Sequence, residues 1–199
     1  MRRIGILLSG RGSNFAAIAG NIAAGKLDAE IAIVIANKPE AGGLETARRL
    51  AVPAVCLPSK GLEREGYDKQ VIAELHRHKV ELVCLAGYMR LLSAAFIREF
   101  PLRILNIHPS LLPAFPGLDA QQQAFDYGAR VSGCTVHFVD EKLDHGPILL
   151  QEAVPVESDD TPATLSARIL AAEHRIYTQA IRVVLGGRYR IDGRRVMLT

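Results

Sequence analysis

Short runs that are apolar from end to end, each followed by residues at helical spacing, dominate the first half of this chain. Residues 4–8, 31–36 and 82–86 are such runs, with a shorter one at 54–57, and 103–107 is a short, largely apolar run that also reads as a buried strand. A strand with one face in water alternates apolar and polar side chains, so a strand without alternation is covered on both faces. Between these runs, Phe15, Ile18, Ala19 and Ile22 recur at helix spacing. Residues 44–50 and 64–78 read as further helices, and 93–100 as a short one capped by Ser93. Strands buried on both faces and alternating with helices predict an α/β fold: a doubly wound, mostly parallel sheet.

The pattern changes after Pro113. A short helix at 121–127 is followed by two consecutive strand candidates, 134–139 and 148–154, which predict an antiparallel C-terminal extension of the sheet. Thr161-Pro162 then opens a long helix with a cap and a proline in its first turn, and Gly186-Gly187 stops it after Leu185. No repeat, low-complexity tract or linker interrupts the 199 residues, so a single domain is expected.

Composition narrows the partners. A formal charge of +3 with scattered arginines does not indicate nucleic acid, and the aromatics (6%) form no stacking platform. The three cysteines, Cys56, Cys84 and Cys134, lie far apart in or near apolar runs, which predicts buried, reduced thiols in a cytoplasmic protein. The apolar run after Arg2-Arg3 is too short for a signal peptide, and no later run approaches membrane-spanning length.

The chemistry converges on residues 106–113, Asn-Ile-His-Pro-Ser-Leu-Leu-Pro. Open α/β sheets place ligands beyond the carboxyl ends of their strands. Asn106 and His108 alternate at such an end and so point to one side. A turn cap and a satisfied core histidine would explain those two residues alone. They would not explain the loop stiffened by Pro109 and Pro113, nor the acidic segment 140–147, Asp-Glu-Lys-Leu-Asp-His-Gly-Pro, that follows the next strand. If the strands are neighbours, a carboxylate from that segment lies beside His108, and a carboxylate favours the charged form of an imidazole. An amide donor, an imidazole and an acid together suit attack on an acyl carbon. No G-x-S-x-G and no cysteine in a polar setting supplies a nucleophile, which favours direct transfer over a covalent intermediate. A metal site built from His108, His137 and Asp144 lacks clustered ligand spacing, so no metal is expected.

Two further features bear on binding. Gly12, Ser13 and Asn14 stand between the first strand and the first helix, where free N–H groups and the helix dipole favour an anion. Phe15 occupies the last glycine position of a dinucleotide fingerprint, which leaves a mononucleotide-like phosphate grip; a tight turn with a good cap accounts for the residues equally well. Glu173 interrupts the apolar stripe of the last helix, either as an edge residue reaching solvent or as a ligand for sugar hydroxyls.

Asn-x-His-Pro-Ser-Leu-Leu-Pro with a downstream Leu-Asp-x-Gly-Pro resembles the folate-dependent formyltransferase family over nearly the whole chain. The resemblance implies one domain over 1–199, with ribotide phosphate bound in about residues 1–100 and chemistry and folate in about 101–199. It implies transfer of the formyl group of 10-formyltetrahydrofolate, a co-substrate, to the amine of 5'-phosphoribosylglycinamide in de novo purine synthesis. Asn106, His108 and Asp144 would be the catalytic set, the first two stabilising a tetrahedral oxyanion and Asp144 keeping His108 protonated. Gly12, Ser13 and Asn14 would hold the phosphate and Glu173 the ribose. Arg64, Met89, Arg90, Leu91, Leu92 and Leu143 would be folate contacts, an arginine suiting its glutamate carboxylates. The partners expected are thus small molecules, without nucleic acid or membrane, for a monomer or a homodimer.

Two departures stand out. Relatives often carry histidine in the loop after Pro116-Gly117, where this chain reads Leu118-Asp119-Ala120-Gln121-Gln122, and His145 stands where smaller residues are common. A relative acting on a charged tRNA would add a C-terminal domain, one hydrolysing formyl-folate an N-terminal domain, and neither is seen. A binding module that had lost turnover would not be expected to keep the Asn/His/Asp set.

Overall fold

The computed structural model describes residues 1–199 as an α/β fold with a mostly parallel sheet and antiparallel C-terminal strands. The chain divides into two compact units, Met1–Leu105 and Asn106–Thr199.

In the first unit, β1 (Arg2–Leu8), β2 (Ala29–Ala36), β3 (Ala54–Cys56) and β4 (Leu82–Leu85) lie in the order β3-β2-β1-β4, all parallel. Their helices are α1 (Ser13–Ala23), α2 (Gly42–Arg49), α3 (Arg64–Arg77) and α4 (Ala94–Glu99). The unbroken apolar runs do what a doubly covered strand requires: Ile4, Ile6, Leu7, Leu8, Val34, Ile35, Leu82 and Val83 are all fully buried. Helix starts follow their caps. Ser93 Oγ accepts from Phe96 N–H as expected, and the Glu63 carboxylate accepts from the N–H groups of Glu65 and Gly66.

β5 (Ile104–His108) runs across the boundary of the units. The second unit continues with α5 (Ala120–Tyr127), β6 (Val131–Phe138), β7 (Ile148–Pro155) and α6 (Pro162–Gly186), and ends in a hairpin of β8 (Tyr189–Asp192) and β9 (Arg195–Leu198). The strand order here is β5-β6-β7-β9-β8, with β6 and β7 antiparallel as expected. Thr161 opens α6 with a capping box and Pro162 in the first turn, and left-handed Gly187 closes it. α6 packs on β6 and β7 through Leu165, Ile169, Ala172, Ile176, Ala180 and Ile181.

Sequence reading passed over the hairpin. Tyr189-Arg-Ile-Asp-Gly-Arg-Arg-Val-Met-Leu alternates around an Asp-Gly step, which is a hairpin signal too short to stand out beside α6. The thiol expectation also needs correction. Cys84 and Cys134 are buried thiols outside any disulfide, but Cys56 lies on the three-residue strand β3 and is only half-buried, because so short a strand cannot be covered along its length. No helix is long and apolar enough to cross a membrane.

Candidate active site

The second unit gathers its polar side chains where β5 and β6 end. Asn106 and His108 alternate on β5, and Thr135 and His137 alternate on β6. Thr135 pins the proline-bounded loop: its Oγ1 donates to the Ser110 carbonyl (2.7 Å) and accepts from Leu112 N–H (3.0 Å) and from Gln151 Nε2 (3.0 Å). Ser110 Oγ donates to the carbonyls of Ala114 and Phe115, and the Leu112–Pro113 bond is cis.

The chain therefore returns Phe115 to His108, whose Nε2 donates to the Phe115 carbonyl at 2.9 Å. The other ring nitrogen, Nδ1, lies 3.5 Å from Asp144 Oδ2, so the acidic segment meets the imidazole as the spacing suggested. Asp144 is held from two sides. Gly117 N–H donates to its Oδ2 at 2.8 Å, and its own backbone is left-handed (φ 47°). Both groups are buried, with side chains only 6% and 8% exposed for His108 and Asp144, so their attraction is weakly screened.

His137 has a different place from the metal ligand it resembled in sequence. Its Nδ1 faces the carbonyl of Phe138 at 2.8 Å and must donate to it. Nε2 is then the acceptor, and Asn106 Nδ2 stands 3.2 Å from it. Burial pushes the imidazole below its ordinary value, which keeps the ring neutral and this tautomer in place. The Asn106 amide is thereby oriented, with one N–H spent on His137 and one to offer. No group of three or more His, Cys, Asp or Glu is arranged to hold a metal ion. Sequence reading missed His137 and Thr135 in these roles; they alternate on β6 as Asn106 and His108 do on β5, but only the pairing of the two strands gives that alternation its meaning.

In the first unit, Gly12 (φ 75°) is the N-cap residue of α1 and supplies no side-chain cap, and no acid lies in the first turn. A Cβ at this glycine would come 2.9 Å from the Gly43 Cα, so the loop is closed to larger residues. The good side-chain cap of the alternative reading is thus not what this turn contains. Asn14 is buried and Ser13 half-buried. Elsewhere in the unit a pocket of about 350 Å³ is lined by Leu62, Arg64, Arg90 and Leu91. Arg90 is fixed over the Tyr67 ring (4.6 Å to its centre) with Nη1 donating to the Ser59 carbonyl. Met89 and Leu91 are exposed, whereas Leu92 is buried. Leu143, in the second unit, is exposed. Glu173 is buried at 6% exposure, which removes the reading of an edge residue reaching solvent.

An α/β sheet whose strand ends bring an amide, an imidazole and a carboxylate together is the scaffold of a group-transfer enzyme. The chain belongs to the formyl transferase family, whose model matches residues 2–181. It is 41% identical to the phosphoribosylglycinamide formyltransferase of Bacillus subtilis over 94% of this chain and 96% of that one. The crystal structure of glycinamide ribonucleotide transformylase 1 from Symbiobacterium toebii superposes with a TM-score of 0.97 at 51% identity, covering 100% of this chain and 94% of that one. Against the trifunctional purine biosynthetic protein adenosine-3 of Drosophila melanogaster it is 44% identical over 94% of its own length but spans only 14% of that protein.

Proposed function

We propose that the protein transfers the formyl group of 10-formyltetrahydrofolate to the amine of 5'-phosphoribosylglycinamide, with Asn106, His108 and Asp144 carrying the chemistry. The observation that carries this reading is the approach of Asp144 Oδ2 to 3.5 Å from His108 Nδ1. Nε2 of His108 is occupied by the Phe115 carbonyl, so Nδ1 is the working atom.

As the amine nitrogen bonds to the formyl carbon, the C=O π pair moves onto oxygen. The free N–H of Asn106 and the Nδ1–H of His108 donate to that oxygen, and preorganised donors of this kind are worth about 2.7–4 kcal/mol each. When the bond from the formyl carbon to the folate nitrogen breaks, that nitrogen gains the proton the amine gives up. Asp144 is the carboxylate placed to hold it in between. At 3.5 Å the two groups are close enough for a small shift to bring them into hydrogen-bond contact around the reacting groups.

The rest of the substrates fit the remaining residues. Gly12, Ser13 and Asn14, at an uncapped helix start, are assigned the ribose phosphate, and Glu173 the ribose hydroxyls. Arg64 and Arg90, with the apolar flanks of Met89, Leu91 and Leu92, are assigned the folate and its carboxylates, and Leu143 its ring.

The test is formation of formylated ribotide from the two substrates. The His108→Gln variant is expected to lose roughly 10²- to 10⁴-fold in kcat with ribotide affinity retained. A wild-type chain that binds both substrates and forms no product would overturn the assignment.

A further inference from the structure

The loop that carries Asp144 is tied down by residues the chemistry does not use. Asp140 opens it: Oδ1 accepts from Lys142 N–H (3.0 Å), and Oδ2 lies 2.7 Å from His145 Nδ1. Arg194 Nη1 stands 2.9 Å from Nε2 of the same ring and 3.1 Å from Nδ1, so the guanidinium lies against the face of the imidazole. The same guanidinium donates through Nη2 to the His145 carbonyl. The Asp140 carboxylate on the ring edge and the Arg194 guanidinium on the ring face and backbone carbonyl thus grip the residue next to Asp144 from two sides.

The hairpin delivers Arg194 to this place by register. β9 runs parallel to β7 with Arg195 opposite Ile148, so the Gly193-Arg194 turn lands beside His145, three residues before Ile148. Tyr189 packs on Phe138 with ring centres 5.5 Å apart and the planes tilted, which fixes the other end of the hairpin to the strand that leads into the loop. At the exit of the loop a Cβ on Gly146 would overlap the Phe138 carbonyl, so the return path has no slack. The hairpin lies beyond residues 2–181, the part that the family model matches.

We infer that Arg194, His145 and Asp140 are positioning residues, through which the C-terminal hairpin holds Asp144 in its left-handed bend against His108. A carboxylate displaced by about 1 Å can cost two orders of magnitude in rate, so a clamp outside the site has leverage on turnover.

Its catalytic half rests on the proposed role of Asp144; its structural half does not. Both are read with Arg194→Ala, a change at an exposed position, alongside Arg194→Lys and, as a control on the same hairpin, Arg190→Ala. Amide hydrogen exchange at Lys142 and Gly117, the N–H groups that donate to Asp140 and Asp144, is expected to accelerate in Arg194→Ala and not in Arg190→Ala. kcat is expected to fall roughly ten- to a hundred-fold with the KM for ribotide unchanged, and Arg194→Lys to recover part of both readouts. Exchange at the wild-type rate in Arg194→Ala overturns the clamp. Faster exchange with unchanged kcat overturns its bearing on the reaction. If the wild-type chain forms no formylated product, exchange alone still decides whether the clamp exists.

Discussion

Both units bend non-glycine residues into left-handed backbone, and they do so to different ends. In the first unit Ala51 and Lys79 (φ 53° each) sit just past α2 and α3. There Val52 N–H reaches back to the Ala47 carbonyl and Val80 N–H to Leu75, the closure that terminates a helix and satisfies its last carbonyls. In the second unit Phe115 (φ 52°) and Asp144 (φ 47°) end no helix. Each instead presents a group to His108: the Phe115 carbonyl at one ring nitrogen, the Asp144 carboxylate near the other. A left-handed residue with a Cβ costs about 1–2 kcal/mol wherever it occurs. At Ala51 and Lys79 the cost is a by-product of turning the chain, as it is at Asp119 (φ 54°) before α5, while at Phe115 and Asp144 it accompanies the aim of a side chain or carbonyl. Strain of the second kind points to function only if removing its cargo removes activity.

The strongest way to break that contrast is Asp144→Asn. Asparagine tolerates the left-handed bend and can still accept from Gly117 N–H, but it carries no charge and cannot hold a proton at neutral pH. Turnover is expected to drop by roughly 10²- to 10⁴-fold in a steady-state assay, with an unchanged far-ultraviolet circular dichroism spectrum. A loss of only a few-fold would place the strain at Asp144 with that at Lys79, as geometry without a task.

Titration separates the units in another way, through what each keeps buried. Burial pushes the Tyr67 and Tyr88 phenols of the first unit up, and the His137 imidazole of the second down. Above pH 10 the unfolded tyrosines lose protons that the folded ones keep, so the first unit loses stability as pH rises. Below pH 6.5 the unfolded His137 gains a proton that the folded ring refuses, so stability there is lost as pH falls. The expected loss between about pH 7.5 and about pH 5.5 is at most about 1.4 kcal/mol. His137→Gln removes it, so the gap in unfolding free energy between wild type and variant, from urea titrations, is expected to narrow on acidification. A constant gap would mean that His137 takes up its proton as readily in the folded protein as in the unfolded chain, so that burial does not hold the neutral tautomer that orients Asn106.

What could be read in advance follows the same division. The first unit is built from strands apolar throughout and helices that begin at recognisable caps, so local chemistry specifies its elements without knowledge of the rest. That Asn106, His108 and Asp144 lie together could be expected because a strand end, two prolines and an acidic segment are all marks of sequence; their catalytic role is the proposal made above. Thr135 and His137 lie inside a strand that reads as ordinary core, and their roles exist only because β6 is paired beside β5. The Arg194 clamp was illegible for a related reason: it depends on the register of β9 against β7, and a parallel pairing across α6 leaves no local trace.

The smallest expected effect is the most direct measure of strain without function. At Lys79→Gly the left-handed bend becomes free of its Cβ penalty of about 1–2 kcal/mol, while the unfolded chain gains flexibility worth about 0.5–1 kcal/mol in the opposite direction. The balance favours the folded state by about 0.5–1 kcal/mol, because both Schellman hydrogen bonds, Lys79 N–H to His76 and Val80 N–H to Leu75, are made by the backbone and survive the change. A higher urea midpoint with unaltered kcat is therefore expected. A lower midpoint would show that the lysine side chain, not the backbone closure, holds the end of α3. The left-handed residues of the first unit would then owe their bends to side-chain tasks, like those around His108, and the contrast between the two units would fail.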